Sequence, residues 1–206
     1  AGISAFLVPT TTAGYAVARV EEKMGQRASD TCSLTFAAME VPEAARIGAE
    51  GEGYRIALAS LETGRIGIAA QSVGMAQAAL DKALAYARER KTFGVRIFDH
   101  QAVGFRLADL ATQLEAARLM VLNAARMKDA GLPCLTEAAM AKLFASEAGE
   151  KICRDAIQVF GGYGYSQEFP VERIYRDQRL LTIGEGTSEI LRVVIGRHVL
   201  GGFVGN

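Results

Sequence analysis

Histidine is scarce in this sequence. His100 and His198 are the only two, and they share no metal-ligand spacing, which excludes a zinc site. The three cysteines, Cys32, Cys134 and Cys153, are odd in number and scattered. None forms a C-x-x-C pair, so they read as buried thiols in a reducing compartment. No charge of one sign dominates: Lys plus Arg and Asp plus Glu stand at 23 each. That removes any overall bias towards nucleic acid or an anionic membrane, while leaving room for a local cationic site for a phosphate-bearing ligand. No uninterrupted apolar run is long enough to span a bilayer, because Arg, Lys, Asp and Glu break the alanine-rich stretches. Internal repeats and low-complexity tracts are missing as well.

What is present is the composition of a globular protein. Half of the 206 residues are apolar and 22% are charged, which suits one or two domains with a real hydrophobic core. The sequence opens on Ala1, without Met or a signal pattern, directly in strand-like residues, and a fragment of a longer chain is the expectation. Two regimes meet near residue 50. Before it, β-rich runs at Ile3 to Val8, Tyr15 to Val20 and Cys32 to Val41 are separated by turn residues, as in part of an antiparallel sheet. Such a piece is too small to stand comfortably as a sandwich or barrel.

After Gly51-Glu52-Gly53 the period becomes helical. A first helix is expected from Tyr54 to Arg90 and a second from Asp99 to Ala130. In the second, Val103, Leu107, Leu110, Leu114, Ala117, Val121 and Ala124 alternate steps of four and three and form one stripe. Gly131-Leu132-Pro133 stops it. Thr136 can cap a third helix running towards Phe160, and Gly161-Gly162-Tyr163-Gly164 forces a turn. Pro170 suits the first turn of a fourth helix, and a last one follows Gly186-Thr187. Long helices with short connections predict an antiparallel up-down bundle. A bundle alone does not decide among an enzyme, a binding module and an assembly domain.

One segment carries candidate chemistry. In Gly184-Glu185-Gly186-Thr187-Ser188-Glu189 a carboxylate sits between two glycines just before a helix. The glycines let the backbone approach a ligand closely, and helix N-terminal N–H groups bind oxygen or phosphate. A Glu there can take a proton from a substrate. On spacing alone, the plainer reading is a turn with a helix-capping acid.

The order of several segments adds to this. Glu62-Thr63-Gly64-Arg65-Ile66-Gly67, Arg90-Lys91-Thr92-Phe93-Gly94, His100-Gln101, Gln158-Val159-Phe160-Gly161-Gly162-Tyr163-Gly164, Tyr175-Arg176-Asp177 and Glu185-Gly186-Thr187 together resemble the acyl-CoA dehydrogenase family, in the family's own order. Glu22-Lys23-Met24-Gly25 and Val41-Pro42 resemble the end of its middle β-domain. The resemblance implies a mainly α chain. Residues 1–50 would be the C-terminal part of the middle β-domain, a partial antiparallel sheet. Residues 51–206 would be the C-terminal antiparallel four-helix bundle. An N-terminal helical domain and the β-segments that grip the flavin ring would lie elsewhere.

The resemblance also implies roles. Glu185 is the base that takes the α-proton of an acyl-CoA thioester, while a hydride leaves the β-carbon for N5 of FAD. Glu at this position fits a dehydrogenase better than a related nitroalkane oxidase, which uses Asp. Some branched-chain members carry the base on the first long helix, where Gly64 stands here and cannot serve. Arg90, Thr92, Gln101 and the run Gln158, Val159, Phe160, Gly161 and Gly162 match positions that hold the FAD diphosphate and adenosine, reaching across to a neighbouring subunit. Phe93 lies inside the first of these motifs. Thr187, Ser188 and Glu189 match a flavin-contacting segment. Glu62 and Arg65, with Gly186, match substrate contacts. Outside the family context Arg65 reads equally as half of a buried ion pair, Arg90 as a solvated helix-end residue, and Gly161-Gly162 as a helix stop. No metal is implied.

The expected partners are an acyl-CoA substrate, an electron-transfer flavoprotein as acceptor, and further copies of the chain in a homotetramer, with no nucleic acid and no membrane span. The compartment would be cytoplasmic in a bacterium or the mitochondrial matrix in a eukaryote. Gly184 stands where many members carry Tyr at the pocket floor, and a short or branched acyl chain is preferred. An acyl-CoA oxidase on the same fold and a non-catalytic helical assembly fragment are the competing readings.

Overall fold

The computed structural model describes residues 2–201. Its contacts group the chain into two compact units, Ala1–Leu61 and Glu62–Asn206. In the first, β1 (Ala5–Phe6), β2 (Tyr15–Val20), β3 (Cys32–Phe36) and β4 (Arg46–Ile47) form two antiparallel pairs, β1 with β4 and β2 with β3. Two strands are shorter than the sequence suggests. Of Ile3 to Val8 only Ala5–Phe6 is strand, and Ile3 makes a lone bridge to Glu52. The run from Cys32 ends at Phe36 because Ala38 adopts φ +47, a left-handed backbone that cannot continue a strand. Cys32 is half-exposed rather than buried, since a two-stranded ribbon shields its residues poorly.

α1 (Gly53–Glu89) begins in the first unit and continues into the second. A two-residue hairpin of β5 (Lys91–Thr92) and β6 (Val95–Arg96) follows, then α2 (Gln101–Asp129), α3 (Leu135–Phe160), α4 (Val171–Arg179) and α5 (Ser188–Val199). The contacts fix the directions within the second unit. Glu62 meets Lys128 and Gln77 meets Arg118, so α2 runs antiparallel to α1. Ser72 meets Ala145 and Tyr86 stacks on Phe160, so α3 returns parallel to α1. Gln178 meets Ser146, and Phe160 meets Phe169, so the chain reverses again into α4. This is the expected up-down bundle.

The α2 stripe is buried from Leu107 through Ala124, with Val103 partly buried against the same core. The facing surfaces are rich in alanine: Ala69, Ala76, Ala79, Ala83 and Ala87 on α1, and Ala138, Ala141, Ala145 and Ala156 on α3. Alanine has the best helix propensity, and small contact residues allow close interaxial distances. Thr136 does not cap α3. The helix starts at Leu135, one residue earlier, so Thr136 lies inside its first turn and is buried. Pro170 occupies the N-cap of α4, and Thr187 caps α5 by accepting from the Ile190 N–H. Gly161, at φ +62, ends α3 in a conformation that glycine adopts without cost. Cys134 and Cys153 are buried. Among the described residues no helix is long and apolar enough to cross a membrane, and no cluster of three metal-binding side chains occurs.

A buried polar knot ties three helices. The Ser72 hydroxyl donates to the Ala145 carbonyl at 2.7 Å, and the Gln178 amide donates to Ser72 Oγ at 2.6 Å and to the Ser146 carbonyl at 3.2 Å. It fits only because residue 149 is glycine. A Cβ there would lie 2.5 Å from both Gln178 Nε2 and Ser72 Oγ. Gly149→Ala is therefore expected to destabilise the fold by about 1–3 kcal/mol, the usual cost of overpacking a core. Chemical denaturation measures this directly, and a variant as stable as the wild type would contradict the role given to the knot.

Candidate active site

Glu185 stands in the short link between α4 and α5, after a helical turn at Leu180–Thr182. Its backbone is left-handed at φ +56, and Gly186 follows at φ +99. A non-glycine residue in that region is held against a steric penalty of roughly 1–2 kcal/mol, so something must hold it. Two buried cations lie against the carbonyls of this link. Lys142 on α3 is fully buried, and its Nζ donates to the Gly186 carbonyl at 2.6 Å. Arg65 on α1 is 6% exposed, and its Nε lies 3.5 Å from the Glu185 carbonyl, the outer limit of a hydrogen bond. Among the described residues no carboxylate lies within ion-pairing distance of Arg65, so the buried ion pair considered from sequence is not formed.

The Glu185 carboxylate lies over Gly64. A Cβ built on Gly64 would fall against it, 2.8 Å from Glu185 Cδ. The absence of a side chain at residue 64 thus makes the space that the carboxylate fills. Thr187 caps α5, and Glu189 in its first turn has its carboxyl held below the ordinary range by its own backbone N–H and by the Thr187 hydroxyl. Lys142 is displaced the other way. Burial, then the charge of Arg65, lowers its ammonium from 10.5 to about 8, against the support of the Glu185, Glu147 and Glu189 carboxylates.

The remaining expected residues divide between other places. Glu62 is committed to Lys128 at 2.9 Å, which holds its carboxyl below the usual range, and it accepts from the Cys134 thiol at 3.6 Å. Thr187, Ser188 and Glu189 line a cleft of about 400 Å³ with Glu147, Arg179 and Thr182. The Ser188 hydroxyl is buried there without a partner among the described residues.

Arg90, Thr92, Gln158, Val159, Phe160, Gly161 and Gly162 come together in a second cleft, of about 590 Å³, with Tyr86, Ile97 and Tyr163. Arg90 has no carboxylate partner among the described residues. The Thr92 hydroxyl meets His100 Nε2 at 2.9 Å, and Tyr86 stacks on Phe160 with ring centres 4.2 Å apart. A Cβ at Gly161 or Gly162 would project into open space. A guanidinium, a free amide and bare glycine backbone beside aromatic rings fit the phosphate and base of a nucleotide. Phe93 and Gln101 are not among the lining residues. Phe93 is 97% exposed, because φ +52 turns it out of the β5–β6 hairpin.

The sequence reading missed Lys142. A signal existed: it lies four residues after Ala138 and three before Ala145, on the buried stripe of α3.

Comparison with known proteins gives the context. The family model described as acyl-CoA dehydrogenase, C-terminal domain, matches residues 51–200. The short-chain specific acyl-CoA dehydrogenase of Bos taurus mitochondria is 51% identical over 97% of this chain and 48% of its own length. Butyryl-CoA dehydrogenase from Megasphaera elsdenii superposes with a TM-score of 0.95 at 43% identity, covering 97% of this chain and 52% of that one. The structure of PigA with FAD and proline superposes with a TM-score of 0.92 at 33% identity, covering 95% and 51%. The chain spans about half the length of the curated relatives it matches.

The Gly64–Glu185 juxtaposition can be tested alone. Gly64→Ala should gain up to about 1 kcal/mol of helix stability, because a mid-helix glycine is replaced, yet displace the Glu185 carboxylate from its place over α1. A crystal structure of the variant with that carboxylate unmoved would contradict the arrangement.

Proposed function

The chain belongs to the acyl-CoA dehydrogenase family, and from that premise we propose that its helical unit supplies the catalytic base of an FAD-dependent α,β-dehydrogenation of acyl-CoA thioesters. The observation that carries the reading is the Glu185 carboxylate held over Gly64, on a backbone fixed by Lys142 and Arg65. Glu185 takes the α-proton. The two electrons of that C–H bond become the second bond between the α- and β-carbons, and the β-hydrogen leaves with its own electron pair. The flavin, when bound, supplies the acceptor for that hydride. An α-proton is only weakly acidic, so the thioester carbonyl needs a hydrogen-bond donor while the base acts. The Glu185 N–H, which has no acceptor among the described residues, would be available as one.

Arg90, Thr92 and Gln158 through Gly162 would hold the diphosphate and adenosine of the cofactor, and the cleft they share supports that reading. The family context has this cleft serve a neighbouring subunit, so the assembly is proposed to be a homotetramer. Residues 1–50 are proposed to be the end of a middle β-domain and residues 51–206 the C-terminal bundle; of these, residues 1 and 202–206 lie outside the described residues. The apolar side chains exposed on the first unit, among them Leu7, Val17 and Phe36, are those of a sheet that needs more strands to be covered. This half alone is then expected to bind FAD weakly and to be inactive, because contacts divided over two halves fail when one is missing. A short or branched acyl chain is preferred, and an electron-transfer flavoprotein is the proposed acceptor. The compartment would be the cytoplasm or the mitochondrial matrix.

Two outcomes test this. In the complete protein carrying this sequence, Glu185→Gln should keep its flavin but lose about a hundred- to ten-thousandfold in the rate at which acyl-CoA bleaches the flavin band under anaerobic conditions. Bleaching at near wild-type rate would remove Glu185 from the role. Sedimentation at micromolar concentration should show a tetramer, and monomer with full flavin occupancy would refute the shared cleft.

A further inference from the structure

Lysine is almost never fully buried unless it is paired, and Lys142 is fully buried with a backbone carbonyl as its closest partner. An ammonium removed from water loses hydration that a single carbonyl does not return. Its place therefore asks for a reason other than stability. The carbonyl it holds belongs to Gly186, and the preceding carbonyl, of Glu185 itself, faces Arg65. Two cations from two helices thus bond the two consecutive peptide groups on either side of Gly186, directly after Glu185, the one residue of this link that is left-handed without being glycine.

We propose that Lys142 is a positioning residue for Glu185: its ammonium anchors the Gly186 carbonyl and so holds the left-handed turn that lays the Glu185 carboxylate over Gly64. This rests on the reading of Glu185 as the base. Lys142 makes no hydrogen bond to the Glu185 carboxylate and is bonded to the backbone of the link, although the two charges also act on each other through space. Both neighbouring peptide groups matter, since rotating the 185–186 peptide swings the side chain that precedes it.

The anchor has a built-in pH dependence. Arg65 on α1 opposes the charge of Lys142, while Glu185 in the link, Glu147 on α3 and Glu189 on α5 support it. Burial dominates, and the ammonium is lowered to about 8. The sign follows. Below that value the charged donor is intact and the anchor is strong. As pH rises through it, the amine becomes a neutral and weaker donor, and the link loosens. The same shift means that the unfolded chain binds the extra proton between about 8 and 10.5, so this group makes the fold more stable, not less, as pH rises there. Activity and stability should therefore move in opposite directions.

The experiment uses the complete flavin-loaded protein with Lys142→Met, Lys142→Arg and Glu185→Gln. Anaerobic flavin bleaching by saturating butyryl-CoA is followed across pH, with denaturation midpoints and crystal structures of each variant. Wild type should lose rate through an alkaline limb near pH 8. Lys142→Met should react about a hundredfold more slowly, the usual cost of misplacing a reacting group. It should lack the limb, keep its flavin, be as stable as wild type or more so, and show Glu185 out of the left-handed region. Lys142→Arg, charged throughout, should keep part of the rate and carry the limb beyond the assay range. Lys142→Met within twofold of wild type, or an unmoved Glu185 backbone in its structure, would overturn the proposal. So would a limb that stays near pH 8 in Lys142→Arg, which serves if the Met variant does not fold. Glu185→Gln separates the two readings. Wild-type bleaching there overturns the base and with it the anchor, whereas an inert Glu185→Gln beside a fully active Lys142→Met overturns the anchor alone.

Discussion

A charged amine from the middle of α3 ends inside the protein on a single backbone carbonyl, and the geometry of the candidate site hangs on that bond. The left-handed backbone of Glu185 costs roughly 1–2 kcal/mol. A hydrogen bond to a charged group contributes about 1.5–3 kcal/mol net. Burying the Lys142 ammonium costs the fold as a whole, but once it is buried, breaking its bond to the Gly186 carbonyl costs more than the strain, and this favours the left-handed link over an extended one. Remove the charge and the balance between the left-handed turn and an extended link becomes close. Strain at such a position is a common mark of functional sites, and here the restraint comes from the two helices that also form the walls of the site.

That arrangement depends in turn on how closely α1 and α3 approach. Arg65 on α1 and Lys142 on α3 reach consecutive carbonyls, and buried small residues line both helices. Gly149 admits the Ser72–Gln178 knot, and Gly64 admits the Glu185 carboxylate. The polar knot fixes the register of α1, α3 and α4 at one level of the bundle, and the Tyr86–Phe160 stack fixes it at the next. The same stack forms a wall of the Arg90 cleft. Core packing and ligand surface are thus one set of contacts at that end of the unit.

Much of this was legible in the sequence, for identifiable reasons. The α2 stripe follows from its steps of four and three, and the α5 cap from Thr187 before an apolar run. The grouping of Arg90 with Gln158 through Gly162 came from motif order, since those residues are far apart in the chain. Other features left no such trace. The left-handed backbone at Ala38 shortens β3 although the residues from Cys32 to Val41 alternate well enough for a longer strand. Phe93 sits within a motif yet points outward, because a turn residue's direction depends on φ and not on its neighbours. Lys142 was hidden by its own type. A lysine on an alanine-rich helix reads as solvated, and only its place on the buried stripe says otherwise. Arg65 is read from the sequence as a substrate contact or half of an ion pair; in the structure its partner is a carbonyl, and a backbone acceptor has no signature in sequence.

The central claim is that this site holds a carboxylate ready to take a proton from the carbon beside a thioester. A crystal structure of the complete flavin-loaded protein with an acyl-CoA thioether, which binds but cannot be oxidised, tests it most directly. The expected result is the carbon equivalent to the α-carbon beside the Glu185 carboxylate, with a carboxylate oxygen at reacting distance, about 3–3.5 Å, and Lys142 still on the Gly186 carbonyl. A ligand seated with that carbon away from Glu185, or reached by a different carboxylate, would contradict it.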